Sequence, residues 1–323
     1  MGELQSVWGW QPALYLFLGG LSAGAFLTVS ILRLAKPGKF YKVVRGGVWV
    51  AVAALALGLL ALISEVEKPF QAMMLWQSFV NGSSWMAIGA WLLVVAFIVF
   101  VLSALFTTDK IADAIKLKGG ARTTANKVLA ILGIPCSLAV AGYTGILLSM
   151  APAVPLWDTW LLPALFTVSA LDTGVAAVML FAVLAEKDAE IHGVRTAMEI
   201  AVICLVALEG VVLAAFVSTM QGAGGAAASS VGILTTGVLQ APFWGLFVAV
   251  GLAVPLVAAV VQVATAKRKT NAVVGTAVPV GGSACALVGG LALRFLILMA
   301  GVHAALVSPA VMQAVQGASF LVS

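Results

Sequence analysis

Hydrophobic residues in this chain come in long unbroken runs, without strand-like alternation or a narrow amphipathic stripe. Eight runs, approximately 13–34, 46–64, 84–106, 124–149, 160–185, 197–219, 240–264 and 282–305, are separated by polar or turn-rich segments. A hydrocarbon core of about 30 Å needs about 20 apolar residues of helix, so each run predicts one membrane-spanning helix. None has the roughly ten-residue alternation of a β-barrel strand. The pattern predicts an all-α integral membrane protein with eight spans.

The two halves of the pattern are alike. The first span contains Gly20-Leu21-Ser22-Ala23-Gly24 and the fifth contains Ala170-Leu171-Asp172-Thr173-Gly174. The fourth span ends Ala141-Gly142-Tyr143-Thr144-Gly145-Ile146-Leu147-Leu148-Ser149. The eighth ends Ala300-Gly301-Val302-His303-Ala304-Ala305-Leu306-Val307-Ser308. Four spans per unit leave both copies in the same orientation, which reads as a parallel repeat. The first four-helix bundle covers 1–155 and the second 156–323. Small-residue faces that let membrane helices approach closely give a similar pattern without duplication.

Composition removes the soluble alternatives. Of 323 residues, 63% are hydrophobic and 9% charged, against about 25% charged in a soluble domain. So little charge cannot cover a soluble surface, and disordered chains are far more polar. The net charge of +5 is then a matter of topology, with no nucleic acid expected as partner. Arg33, Lys36, Lys39, Lys42 and Arg45 follow the first span, and Lys110, Lys116, Lys118, Arg122 and Lys127 follow the third. Lys187 and Arg195 follow the fifth, and Lys267, Arg268 and Lys269 the seventh. The opposite side has Lys68, and Arg294 lies within the last span. Basic residues collect on the cytoplasmic side, so both termini are expected outside, in a multi-pass protein of a bacterial or archaeal cytoplasmic (inner) membrane. The start lacks the basic region of a cleavable signal, and the first run is read as a retained helix. The myristoylation-like Met1-Gly2 with Ser6 is read as chance.

Cys136, Cys204 and Cys285 lie in apolar stretches without CxxC or CxxCH spacing. Their spacing suits no iron–sulfur cluster, structural zinc or c-type haem. His192 falls in a loop and His303 alone falls in a span, which excludes a di-haem anchor built on paired helix histidines. No metal site, P-loop, nucleophile elbow or metalloprotease motif is present.

Polar residues inside a bilayer cost about 2.5–3.5 kcal/mol each when charged, so their positions are informative. One set gathers at the expected outer face. Trp8, Trp10, Gln11 and Tyr15 open the first span, Glu65, Glu67 and Lys68 follow the second before Pro69, Trp85 and Trp91 open the third, and Tyr143 lies near the end of the fourth. An aromatic belt with solvated acids is one reading. The other is a quinone site, in which a phenol donates to the ring carbonyl and a carboxylate exchanges protons on redox. A second set lies deeper: Asp172 in the fifth span, Glu209 in the sixth and Arg294 in the eighth, with His303 towards the outer end. These are either mutually paired or a proton relay.

The outer-face residues also carry a resemblance. Trp10-Gln11-Pro12-Ala13-Leu14-Tyr15 through Gly20-Leu21-Ser22-Ala23-Gly24 resembles the opening of the NrfD/PsrC family, membrane subunits of nitrite, polysulfide and related respiratory reductases. Glu65-Val66-Glu67-Lys68-Pro69 is similar to its segment of an acidic residue, two variable positions, often Arg, then Pro, and Met86-Ala87-Ile88-Gly89-Ala90-Trp91 to its Met-Ser-Trp-Gly-Ser-Trp segment. Tyr143-Thr144-Gly145, then Leu162-Pro163-Ala164-Leu165-Phe166 through Gly174, then Leu293-Arg294-Phe295 with Ala300-Gly301, follow in the family's order. Lys68 stands for a usual Arg, Asp172 for a common Ser, and Val302-His303 for a usual Gln.

The resemblance implies a haem-free, eight-helix subunit that oxidises quinol or reduces quinone, with menaquinone or ubiquinone bound as substrate. Tyr143 corresponds to the family's quinone-contacting tyrosine, Gln11–Tyr15 to its first-helix polar contact, and Glu65 or Glu67 to its acidic position. Lys68, Trp85 and Trp91 complete the expected quinone surroundings. The implied partners are a ferredoxin-like iron–sulfur subunit on the outer face and, beyond it, a molybdopterin catalytic subunit or a multihaem cytochrome. Such a subunit is not catalytic alone. Repeated halves and intramembrane charge also fit a secondary transporter or other proton-translocating protein, and a further alternative is a purely structural anchor whose outer polar cluster only docks the partner.

Overall fold

The apolar runs fold as spans, and most reach further than their hydrophobic limits. The computed structural model describes residues 9–65, 85–114, 116, 119–185, 192–266 and 273–303. In chain order, α1 (Trp10–Ala35), α2 (Tyr41–Glu65) and α3 (Trp85–Thr107) precede a short α4 (Asp109–Ala114) and the long α5 (Gly119–Ser149). Then come α6 (Leu161–Ala185), α7 (His192–Ala223) and α8 (Gly225–Thr235), followed by α9 (Pro242–Thr265) and α10 (Val278–Met299). Among the described residues, 8 helices are long and apolar enough to cross a membrane. Lipid offers no partners to backbone N–H and C=O groups, and a helix satisfies them internally.

Basic residues expected in the connections sit on the helix ends instead. Arg33 is in the last turn of α1, Arg122 and Lys127 in the first turns of α5, and Arg195 in the first turn of α7. Long basic side chains reach water while their stems stay against apolar surface, so a helix can continue past its hydrophobic run. The last span behaves oppositely. It ends at Met299, short of the expected 305. The Val302 N–H leaves the helical pattern and donates to the Ser230 hydroxyl of α8 at 3.1 Å. His303 therefore lies past the helix end, outside the span expected to hold it.

Prolines explain the irregular winding of α9 and the approach to α10. The π-wound segments Pro242–Ala253 and Val273–Ala277 each end two residues before a proline, Pro255 and Pro279. A proline has no N–H for the carbonyl four residues back, and the wider turn accommodates the gap.

Packing places α1 and α6 at the centre. About 72% of the apolar stretch of α6 and 61% of that of α1 are buried, against 28% for α7. In the first half, α1 packs on α2 and α5, and α3 packs on the same two helices. In the second half, α6 packs on α7 and α10, and α9 packs on the same two. The halves meet through α1 against α6 and α10, and α5 against α6. The tightest crossing is at Gly24 and Gly174, the last residues of the paired motifs. A Cβ on Gly24 would lie 2.0 Å from the Ala170 carbonyl oxygen, and one on Gly174 would lie 2.1 Å from the Gly24 carbonyl carbon. Only glycine lets these backbones touch.

Candidate functional site

Two groups of polar side chains stand out, one at each half's expected position. In the first half, Tyr143 of α5 is buried, with 9% of its surface exposed. Its ring occupies the space where a side chain on Gly89 in α3 would be. A Cβ on Gly89 would fall 1.7 Å from Cζ and 1.9 Å from the hydroxyl oxygen of Tyr143. The Gly89 position in the Met86–Trp91 segment thus makes room for the phenol of a neighbouring helix. Gly19, one turn below Tyr15 on α1, faces Thr144, whose Cγ2 is 3.7 Å from where a Gly19 Cβ would be. Tyr15 and Tyr143 therefore lie on adjoining helices within about two turns of each other in depth.

Gln11 and Tyr15 are half-buried in the first turns of α1. Trp85 and Trp91 project from α3 and are 47% and 53% exposed, so they lie towards the surroundings of the chain instead of lining its interior. Glu65 ends α2, which packs against α3. Trp8, Glu67, Lys68 and Pro69 lie outside the described residues, as do the side chains of Glu65 and His192.

The second group is wholly buried. Asp172 of α6 and Glu209 of α7 are each 2% exposed, and Arg294 of α10 is 0% exposed. Arg294 Nη1 donates to the Ser169 hydroxyl at 2.6 Å and to the Gly290 carbonyl at 2.8 Å, and Nη2 donates to the Phe166 carbonyl at 3.2 Å. The guanidinium carbon stands 5.1 Å over the Phe166 ring. These hydrogen bonds go to neutral oxygens, so α6 and α10 hold the cation through hydroxyl and carbonyl groups. Glu209 is near enough to interact with both Arg294 and Ser169, and Asp172 is next to Glu209. Among the described residues, Asp172 Oδ1 is buried without a hydrogen-bond partner. A Cβ on Gly20 of α1 would lie 3.4 Å from Arg294 Nη2, so the guanidinium reaches the seam between the halves.

One buried carboxylate lies outside both sets expected from the sequence. Glu199 of α7 is 6% exposed and lines a narrow gap with Met179 of α6, Pro255 of α9 and Ser283 of α10. The apolar run 197–219 contains it, so the same criterion that singles out Glu209 applies to it. It lies nearer the basic end of α7, within electrostatic reach of Arg195. The second half thus carries buried carboxylates at two depths, Glu199 and the Asp172–Glu209 pair. Adjacent buried carboxylates can hold and pass a proton between them.

Comparison with known proteins gives the chain's family. The model of the family described as polysulphide reductase, NrfD matches residues 2–305. A polysulfide reductase chain from Wolinella succinogenes is 31% identical over 313 residues, covering 91% of this chain and 94% of that protein. Protein NrfD of Escherichia coli is 30% identical over 313 residues, covering 91% of this chain and 95% of that protein. A selenate reductase subunit from Mesobacillus selenatarsenatis is 28% identical over 207 residues, covering 54% of this chain and 47% of that protein. With the family's match running through nearly every described helix, this multi-pass chain belongs to the polysulphide reductase NrfD family of membrane subunits.

Proposed function

We propose that this chain is the haem-free, quinone-reactive membrane subunit of a multi-subunit respiratory oxidoreductase. It takes menaquinone or ubiquinone as substrate at the outer end of the first bundle, with both termini outside the cytoplasmic membrane. The observation that carries this reading is the buried Tyr143 phenol lying on Gly89 where α3 and α5 meet. A phenol in an apolar wall needs a polar partner, and a quinone carbonyl arriving from the lipid supplies an acceptor. Tyr143 donates to that oxygen, Tyr15 and Gln11 border the entrance from α1, and a carboxylate at the end of α2, Glu65 or Glu67, exchanges the protons with the outer phase. The quinone supplies the two-electron chemistry. The electrons pass to an iron–sulfur partner subunit docked on the outer face, and from there to a molybdopterin enzyme or a multihaem cytochrome. The relatives' names, which are those of reductase subunits, support partners of this kind.

The like packing of the two halves and the Gly24–Gly174 contact support a parallel repeat of two four-helix bundles. The buried Asp172, Glu209, Arg294 and Glu199 favour a second role, a proton path through the second bundle. His303, beyond the end of α10, would stand at its outer mouth.

Tyr143→Phe tests the main reading. Quinol oxidation by the assembled complex should fall at least about tenfold, since a lost catalytic hydrogen bond is worth about 10²–10⁴-fold at most sites of proton transfer. Assembly should be unchanged, and normal turnover would refute the site. A transporter would work without partners, so activity of the isolated chain as a solute carrier would favour that alternative.

A further inference from the structure

At the end of the first half opposite Tyr143, helices α1, α2, α3 and α5 surround a cavity of about 370 Å³. Its charged lining is Arg33, Lys39, Asp109, Arg122 and Lys127. Arg33 is fixed in its floor. Nη1 donates to the Ser103 hydroxyl at 3.0 Å and to the Asn126 side-chain oxygen at 3.3 Å, and Nη2 donates to the Thr107 hydroxyl at 2.5 Å. All three acceptors are neutral, so these bonds orient the guanidinium without compensating its charge. Among the described residues, the one carboxylate in the lining is already taken. Asp109 accepts from Arg122 Nη1 at 2.8 Å and from the Tyr41 hydroxyl at 2.8 Å. Arg33 and Arg122 are close enough to repel each other. Among the described lining residues other than Lys39, Arg33, Arg122 and Lys127 against Asp109 leave an excess of positive charge.

The depth of the cavity says what kind of anion reaches it. Tyr41 and Trp49 of α2 are exposed here, and the Trp49 indole N–H donates to the Thr108 hydroxyl at 3.0 Å. Tyr and Trp gather at the headgroup level of a membrane. On α5, Lys127 is followed directly by exposed Val128, and a turn further by exposed Ile131 and Leu132. A cationic rim thus continues into an apolar stripe facing the bilayer. That combination suits a molecule with a phosphate at one end and acyl chains at the other.

We propose that this cavity binds the phosphate group of an anionic phospholipid, such as phosphatidylglycerol. Arg122 and Lys127 hold the phosphate oxygens over the fixed Arg33, and the acyl chains lie along α5. Assigning the lipid to the inner leaflet rests on the orientation proposed above. The site itself depends neither on that orientation nor on quinone chemistry. Basic pockets between membrane helices commonly bind such headgroups, and each Lys or Arg near the surface strengthens binding about fivefold.

Native mass spectrometry of the assembled complex, with phosphatidylglycerol or phosphatidylcholine added in detergent, tests this. Phosphatidylglycerol should be retained in preference to phosphatidylcholine. Lys127→Gln should weaken retention about fivefold, and Asp109→Asn should strengthen it about fivefold. A misfolded protein would not give one loss and one gain, so opposite signs separate binding from folding. Equal retention of the two lipids, or variants that leave retention unchanged, would overturn the site. Full displacement of phosphatidylglycerol by inorganic phosphate would overturn the lipid assignment in favour of a soluble anion.

Discussion

A glycine one helix away decides where the Tyr143 phenol can be. The ring occupies the space of the missing Gly89 side chain, so Gly89→Ala forces it to move. Overpacking of this kind costs about 1–3 kcal/mol. The complex should lose thermal stability and quinol oxidation together, whereas Tyr143→Phe should lose only the oxidation; comparison of melting and turnover for both variants checks this. Tyr143 is legible in the sequence because a phenol near the end of an apolar run stands out. Its dependence on Gly89 is not, since nothing in either segment alone says that they touch. Glu199 shows the opposite case: its signal lies in the run 197–219 and is eclipsed by the more central Glu209. Trp85 and Trp91 are conspicuous in sequence, and both are about half-exposed on α3.

Among the elements, the eight spans follow directly from hydrophobic length, because in lipid a helix is the one open-chain way to satisfy the backbone. Where they stop does not follow from hydropathy. Basic side chains extend α1, α5 and α7 beyond their apolar runs, and a hydrogen bond to α8 draws Val302 out of α10. α8 itself is unexpected, because 11 residues are too few for a span and the segment reads as a connection. At the α1–α6 crossing, Gly174→Leu should place a side chain into the Gly24 backbone. Loss of the folded chain from the membrane fraction is expected, while Gly210→Leu, at a position with open space around it, should be tolerated. The corner joining α3, α4 and α5 is held partly by Asp109. Hydrogen bonds from Arg122, then from Tyr41, keep its carboxyl below its ordinary value of 3.8. A lowered folded value stabilises above the unfolded one and is lost as pH falls through the folded one. Asp109→Asn should therefore lower the Tm at neutral pH, and its difference from the unsubstituted protein should shrink as pH falls below about 3.8 and vanish below the lowered folded value. The pair is largely exposed, so the difference should be at most about 1 kcal/mol.

For the whole molecule, the few charges divide into three working groups. Bases at the ends of α1, α5 and α7 set the orientation proposed here, with an anionic cavity partner among them. The phenol of Tyr143 marks the first half, and buried acids lie with Arg294 in the second. On this division the protein works only in a complex, and affinity purification should bring down a cysteine-rich iron–sulfur subunit. Recovery of a fully active chain alone would count against that. Which bundle holds the quinone is the most direct question to put to the molecule. Photo-crosslinking of the assembled complex with a reactive quinone analogue, followed by peptide mapping, answers it. Label on the peptides of α1 and α5 that carry Tyr15 and Tyr143, displaced by excess natural quinone, is the expected result. Displaceable label confined to α7, α9 and α10 would contradict a quinone site in the first bundle.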